Sequence, residues 1–323
     1  MAKAVRFHKQ GGPEVLQYED VQVAEPGAGQ ARIRHTAIGV NFVDTYQRSG
    51  LYPMQLPQTA GNEGAGVVEA VGSGVADLKP GDRVTYTGLV GSYCESRVVP
   101  AERLVKLPQG ISDEQAASML LKGLTVHYLI HSTYPVKKGE TVLWHAAAGG
   151  VGLIACQWLK ALGVTVIGTA GSDEKTALAK AHGATHLINY AKENFVERVK
   201  ALTDGKGVPV VYDGVGKATW DGSLDCLRPR GLMVSFGNAS GAVAPVNLGI
   251  LSAKGSLYVT RPTLATHIAS RADLLERSKA LFEMVSSGKV KIETTQRYKL
   301  ADAAQAHRDL EGRKTTGSVV LVP

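Results

Sequence analysis

Residues 144–163 read WHAAAGGVGLIACQWLKALG. An apolar, strand-like run ends here in a turn, and Gly149, Gly150 and Gly152 fall within four residues of one another. The spacing then predicts a helix over Val151–Leu162, stopped by Gly163. A helix N-terminus presents unpaired N–H groups and a partial positive charge, so a turn built this way can receive a pyrophosphate. The glycines let the turn form, let the backbone approach the phosphates and let the helix pack on the strand. Set against G-x-G-x-x-G, the chain reads Ala147-Ala148-Gly149-Gly150-Val151-Gly152, with alanine in place of the first glycine. A partial match of this kind can also arise for packing alone.

The residues that follow give the turn its context. "VTVIGTA" (164–170), "THLINY" (185–190), "VPVVYDG" (208–214), "GLMVSFGN" (231–238) and "GSLYVTR" (255–261) are short β-rich runs. Helical patterns separate the first four: Ser172 to Gly183, 193–203 and 217–228. Strands alternating with helices imply crossover connections and a parallel sheet. With "TVLWHA" (141–146) ahead of the turn, a six-stranded doubly wound dinucleotide fold is predicted.

Upstream, residues 1 to about 110 read as strands: "AKAVRFHK", "QARIRHTAI", "GAGVVEAVG", "GDRVTYTG" and "SYCESRVVP", punctuated by Gly and Pro. "ISDEQAASMLLKGLTVHYLI" then changes to helical spacing, with Ser112 as N-cap and Gln115 three residues on. The tail mixes a helix over Arg271–Ser287, the run "IETTQRYKL", a helix over 301–311 and a last strand "SVVLV". The fold class is α/β: a β-rich domain from both ends of the chain (1–123 and 262–323) and an inserted Rossmann domain (124–261).

Composition narrows the function classes. With 44% hydrophobic and 20% charged residues, the chain has a globular rather than a disordered balance. No apolar run reaches the roughly 20 residues of a membrane span, and "MAKAVRFHKQ" holds no signal-peptide core. Cys94, Cys156 and Cys226 are far apart, so no disulfide framework or cysteine-rich metal site is expected, and a cytoplasmic location is. The formal charge of +7 raises the question of nucleic acid, but the basic residues are scattered and not interleaved with aromatics. An RNA-binding protein stabilised by nucleotide is kept as the alternative of another class.

An NAD site carries Asp or Glu at the end of the second strand, to bind the ribose 2′-OH. Here Thr169 and Ala170 stand at that place, followed by Gly171, Ser172 and Lys175. A hydroxyl and a cation suit a 2′-phosphate, so NADPH is the predicted cofactor. The competing reading makes Ser172 only a helix cap and Lys175 only a solvated residue, with Asp173 and Glu174 weakening the positive field.

Several blocks then carry a family resemblance: "FHKQGGPEVLQ", "GVNFVDTYQRSGLYP", "HAAAGGVGLIACQW", "VVYDGVG", "RGLMVSFGNASGAV" and "GSLYVTRP". Together they resemble the zinc-free quinone oxidoreductases, the ζ-crystallin-like branch of the medium-chain dehydrogenase/reductase superfamily, and its bacterial NADPH-dependent members most of all. The resemblance spans essentially the whole chain. It implies a GroES-like catalytic domain, a six-stranded Rossmann domain, a cleft between them, and transfer of hydride or electrons to a quinone.

Alcohol-dehydrogenase relatives hold a catalytic zinc with a Cys and with the His of a "GHE" motif. The matching places here are Asn41 in "GVNFVD" and Asn62 in "GNEGAG", poor zinc ligands, so no metal is expected. By the same resemblance Asn41, Asp44, Tyr46 and Tyr52 line the substrate side. Asn41 and Tyr46 could donate to a developing oxyanion and to cofactor, and Tyr52 could stack on a flat substrate. Interface or core packing is the competing reading of each tyrosine. No side chain stands out as a general acid, and water can supply the proton. Cofactor contacts are implied at Thr125, at Ala148, Gly149, Gly150, Val151 and Gly152, and at Gly171, Ser172, Lys175 and Tyr190. Gly214, Val215, Phe236, Gly237, Asn238, Arg261 and Arg313 complete the set, although a surface ion pair is the competing reading of Arg313. The resemblance also implies a homodimer formed through the edge strand "GSLYVTRP". Reduction of another conjugated carbonyl, an enone or enoyl substrate, is the alternative activity on the same scaffold.

Overall fold

The computed structural model describes residues 1–323, which divide into two compact units. One comprises Met1–Leu124, Ile268–Ser286 and Ile292–Pro323; the other comprises Thr125–His267 and Ser287–Lys291.

The first unit is built on a seven-stranded sheet that unites both ends of the chain. The strand Gln30–Val40 is its axis, pairing antiparallel with Glu63–Val71 and with Ser96–Pro100. The C-terminal strand Ser318–Val322 also pairs antiparallel with Gln30–Val40, and parallel with Thr294–Lys299. A three-stranded sheet of Gln17–Val21, Ala2–Phe7 and Gln58–Thr59 accompanies it. The strand Gln17–Val21 was not legible as such: it is mostly exposed and has few apolar residues. Phe7, Ile38, Val40, Tyr93, Val319 and Leu321 share one core cluster, which is why the tail cannot be separated from the N-terminal strands. The helix that begins at Asp113 is opened as expected, with Ser112 Oγ accepting from Gln115 N–H at 3.2 Å and Gln115 Oε1 from Ser112 N–H at 3.0 Å.

The second unit holds a six-stranded, wholly parallel sheet. From edge to edge its strands are His186–Asn189, Thr165–Ala170, Thr141–Trp144, Val208–Asp213, Leu227–Ser235 and Tyr258–Thr260. Chain order reverses beside Thr141–Trp144, and dinucleotides bind at the carboxyl edge of such a switch point. Leu143, Ile167, Ile188, Val211 and Met233, one from each of five strands, pack together with Val199 and Leu224 of the crossover helices. One element is shorter than the spacing predicted. The helix read over 217–228 spans only Trp220–Asp225, because residues 214–219 wrap the Asp213 carboxylate and Leu227 already pairs with Val208.

Candidate active site and cofactor site

In the second unit the strand Thr141–Trp144 leads into the glycine turn, and the helix Gly150–Ala161 follows. Ala146 takes the left-handed backbone of the turn at φ 53°, a conformation that costs a non-glycine residue about 1–2 kcal/mol. Gly152 is required by contact: a Cβ there would lie 2.4 Å from the Ala146 carbonyl oxygen and 2.6 Å from that of Ala147. The first helical turn therefore sits directly on the backbone that precedes it. The N–H groups of Gly150, Val151 and Gly152 open the helix, the position from which a helix binds an anion.

The next strand ends at Ala170 without an acid, and Ser172 caps the helix Asp173–Ala181, its Oγ accepting from Lys175 N–H at 3.3 Å. Ser172 also hydrogen-bonds the Glu174 side chain, which holds that exposed carboxyl below its ordinary value. Asp173 is paired with Lys192 and accepts from Asn189 Nδ2 at 2.8 Å, so its charge is countered locally. Gly171 allows close approach of Tyr190, whose hydroxyl would lie 2.6 Å from a Cβ at that position, and the Tyr190 ring is exposed.

Farther along the same edge, Gly214 and Gly237 let two loops touch. A Cβ on Gly237 would meet the Gly214 carbonyl oxygen at 2.4 Å, and one on Gly214 would meet the Phe236 ring at 3.0 Å. Arg261 Nη1 donates to Ser235 Oγ at 3.0 Å and to the Gly237 carbonyl at 2.9 Å. Its Nη2 donates to the Asn238 side-chain oxygen at 3.0 Å when that amide is turned to satisfy both of its polar atoms. Val215 N–H is committed to Asp213 Oδ1, which shapes this turn. Thr125 lies buried in the helix Asp113–Tyr128. Arg313 belongs to the first unit, at a left-handed φ of 57° just after the helix Ala303–Glu311.

In the first unit the predicted residues Asn41, Asp44 and Tyr46 meet at the helix Phe42–Ser49, and Tyr52 follows it. Asn41 is the N-cap and donates its backbone N–H to Asp44 Oδ2 at 2.8 Å. Asn62 Nδ2 donates to Asp44 Oδ1 at 2.7 Å and to Gln47 Oε1 at 2.6 Å. Asn41 Nδ2 donates to Glu63 Oε2 at 2.9 Å, so one of its two amide N–H groups is already committed. Burial pushes the Asp44 carboxyl up to about 6, against the opposing pull of Asn62, the Asn41 N–H and Tyr93. Glu63 is likewise raised by burial, opposed first by Lys122. Lys122 Nζ stands 3.6 Å from Glu63 Oε2, an ion pair too long to be a hydrogen bond, and its ammonium has no hydrogen-bond partner. The Tyr46 and Tyr52 rings meet edge to face at 5.3 Å.

No motif or spacing points to the groups behind Asp44. Tyr93 donates its hydroxyl to Asp44 Oδ2 at 2.9 Å and accepts from His307 Nε2 at 3.0 Å. His307 Nδ1 accepts from Arg48 Nη1 at 3.0 Å, and Arg48 forks onto Glu311 at 2.7 and 3.1 Å. Arginine can only donate, so every hydrogen in this row is fixed and the imidazole is neutral. Burial, and then Arg48, hold His307 down to about 3. Its partners lie too far apart in the chain for any spacing to reveal them.

Where zinc relatives have Cys and His, the side chains are therefore two amides already bonded to carboxylates, and no three His, Cys, Asp or Glu side chains come together as a metal site. Family models describe the two halves: an alcohol dehydrogenase GroES-like domain matches residues 27–109 and a zinc-binding dehydrogenase domain matches 150–277. The chain is 59% identical to the quinone oxidoreductase of Pseudomonas aeruginosa over 325 residues, covering all of both chains. It belongs to the zinc-free quinone oxidoreductases. The crystal structure of Escherichia coli quinone oxidoreductase complexed with NADPH matches with a TM-score of 0.98 at 53% identity over the full length of both chains. A 2-haloacrylate reductase from a Burkholderia species is 46% identical over 331 residues, covering 100% of this chain and 99% of that one. The fold is accordingly that of the medium-chain dehydrogenases, a GroES-like domain with a Rossmann domain. No helix is long and apolar enough to cross a membrane.

Proposed function

We propose that the protein reduces quinones with NADPH and without a metal. The observation that carries this reading is the chemistry at Asn41 and Asn62, where amides bonded to Glu63 and Asp44 replace the ligands of a Lewis acid. A ketone needs its carbonyl polarised during reduction; a quinone needs this less, because the aromatic hydroquinone formed is intrinsically stabilised.

The residues fit the cofactor. The turn Ala148-Gly149 and the N–H groups of Gly150, Val151 and Gly152 would hold the pyrophosphate. Gly171, Ser172 and Lys175 would hold the 2′-phosphate, with Ser172 exchanging Glu174 for the phosphate, and Tyr190 would stack on adenine. Thr125, Gly214, Val215, Phe236, Gly237, Asn238 and Arg261 are assigned to the nicotinamide half, with Asn41, Tyr46 and Arg313 as further contacts. When bound, NADPH supplies the reducing equivalents. The protein's part is to align the acceptor, exclude water and offer hydrogen bonds to the oxygen that gains charge. Asn41 offers its second amide N–H and Tyr46 its hydroxyl, and Tyr52 offers an exposed ring face to a flat acceptor. Asp44 is buried and acts by fixing Asn41 and Asn62.

The test is steady-state turnover of NADPH with benzoquinone, naphthoquinones, phenanthrenequinone, an enone and a simple alcohol. Quinones should be reduced fastest and the alcohol should be inert; an enone preferred over every quinone would overturn the reading. Reduction of a conjugated carbonyl is the second reading, favoured by the similarity to 2-haloacrylate reductase. A homodimer and a cytoplasmic location belong to the same proposal. The dimer is supported by the edge strand Tyr258–Thr260, where Tyr258 is 61% and Val259 38% exposed, and the location by three free, buried thiols.

A further inference from the structure

His145 immediately follows the central strand Thr141–Trp144, and its side chain is buried. Its two ring nitrogens reach toward the two neighbouring strands of the sheet. Nδ1 lies 2.9 Å from Thr169 Oγ1, near the end of Thr165–Ala170 on one side. Nε2 lies 2.9 Å from Ser223 Oγ, which donates at 2.8 Å to the carboxylate of Asp213, the last residue of Val208–Asp213 on the other side. The Asp213 carboxylate also accepts from Thr219 Oγ1 and from the N–H groups of Val215 and Gly216 at 2.6, 2.8 and 3.0 Å. Burial keeps the ring neutral, and the row then has one hydrogen order. Ser223 spends its proton on Asp213 and so accepts from Nε2–H; Nδ1 then accepts from the Thr169 hydroxyl. Phe195 closes the ring off edge-on, with centroids 5.0 Å apart.

A crossover fold can hold its strands by backbone bonds alone, and an apolar side chain at 145 would pack there at no desolvation cost. The buried row instead ties together the ends of three adjacent strands at the switch point. It also ties in the turn 214–216, whose shape the Asp213 carboxylate sets. We propose that His145, acting through Ser223 and Asp213 on one side and Thr169 on the other, is a positioning residue that holds the dinucleotide-binding loops in register. This rests on the cofactor reading above.

The test is direct titration of NADPH and of NADH against the full-length protein, with thermal unfolding and steady-state kinetics alongside. His145→Phe keeps a flat ring and removes both hydrogen bonds. It should raise Kd for NADPH and for NADH by the same factor, about tenfold, the worth of one buried hydrogen bond. At saturating cofactor, kcat and the quinone KM should stay within about twofold. His145→Gln, which keeps a donor and an acceptor, should recover part of the affinity. If His145→Phe does not fold, Ser223→Ala cuts the same row with a smaller change and should show the same split. A lower Tm with unchanged Kd for both dinucleotides would reduce His145 to a packing residue and overturn the proposal, as would equal losses in Kd and quinone KM. Failure of the wild-type protein to bind either dinucleotide would instead overturn the cofactor reading itself.

Discussion

Replacing Lys175 by alanine should separate NADPH from NADH. The half-buried Lys175 stands in the first turn of the helix that Ser172 caps, just past the strand end that lacks an acid. Nearby, Lys192 and Asn189 engage Asp173, and Ser172 engages Glu174, so the two carboxylates of that turn are each tied to a partner. A charge-assisted hydrogen bond to a 2′-phosphate is worth about 1.5–3 kcal/mol. At 1.4 kcal/mol per decade this is roughly a 10- to 100-fold loss in kcat/KM for NADPH, and partial exposure puts the expectation near the lower bound. NADH has no 2′-phosphate and should be used almost as before. The assay is kcat/KM for both cofactors, in wild type and Lys175→Ala, with one quinone held at saturation. Equal losses with both cofactors, or less than a twofold change with either, would refute the assignment of Lys175.

Gly152→Ala should weaken NADPH and NADH alike, measured by titration, because its Cβ would meet two backbone carbonyls at 2.4 and 2.6 Å and displace the helix N-terminus proposed to hold the pyrophosphate common to both. On the edge strand, Val259→Lys should turn a dimer into a monomer by sedimentation at micromolar concentration, with an unchanged far-UV spectrum; a wild-type monomer would end the dimer proposal. Stability should fall as pH drops from about 6.5. His35 and His307 are held down to about 3 and His145 is also lowered, all chiefly by burial, so the unfolded chain takes up protons in this window that the native protein refuses. Asp44, raised from 3.8 to about 6, works in the opposite sense, because the native state binds its proton first, and it recovers part of the loss below pH 6. The melting temperature recorded from pH 7.5 to 4.5 should therefore decline; a flat or rising trend would contradict the buried neutral imidazoles.

What the sequence showed plainly was whatever is local. The parallel sheet was legible because short runs rich in Val, Ile and Leu alternate with helical patterns along the chain. The Ser112 cap was legible because donor and acceptor lie three residues apart. The short helix Trp220–Asp225 was overread because Asp213 draws residues 214–219 into its own hydrogen bonds, and helical composition does not reveal that competition. Of the candidate site, the glycine turn and the residues Asn41, Asp44, Tyr46 and Tyr52 are proposed from motif and resemblance. Their supporting partners could not be named in this way. Tyr93 is 49 positions from Asp44 and His307 a further 214 from Tyr93, while His145 finds Ser223 across 78 residues. Only the fold brings such pairs together, and a lone histidine or tyrosine in a sequence does not announce a buried partner.

This chain transfers reducing equivalents from NADPH to a quinone with amides where zinc-dependent alcohol dehydrogenases keep a metal. The most direct measurement is zinc content and NADPH-dependent quinone reduction on one purified sample, before and after dialysis against a strong chelator. Far less than one zinc per chain and an unchanged rate are expected; stoichiometric zinc whose removal abolishes turnover would contradict metal-free reduction.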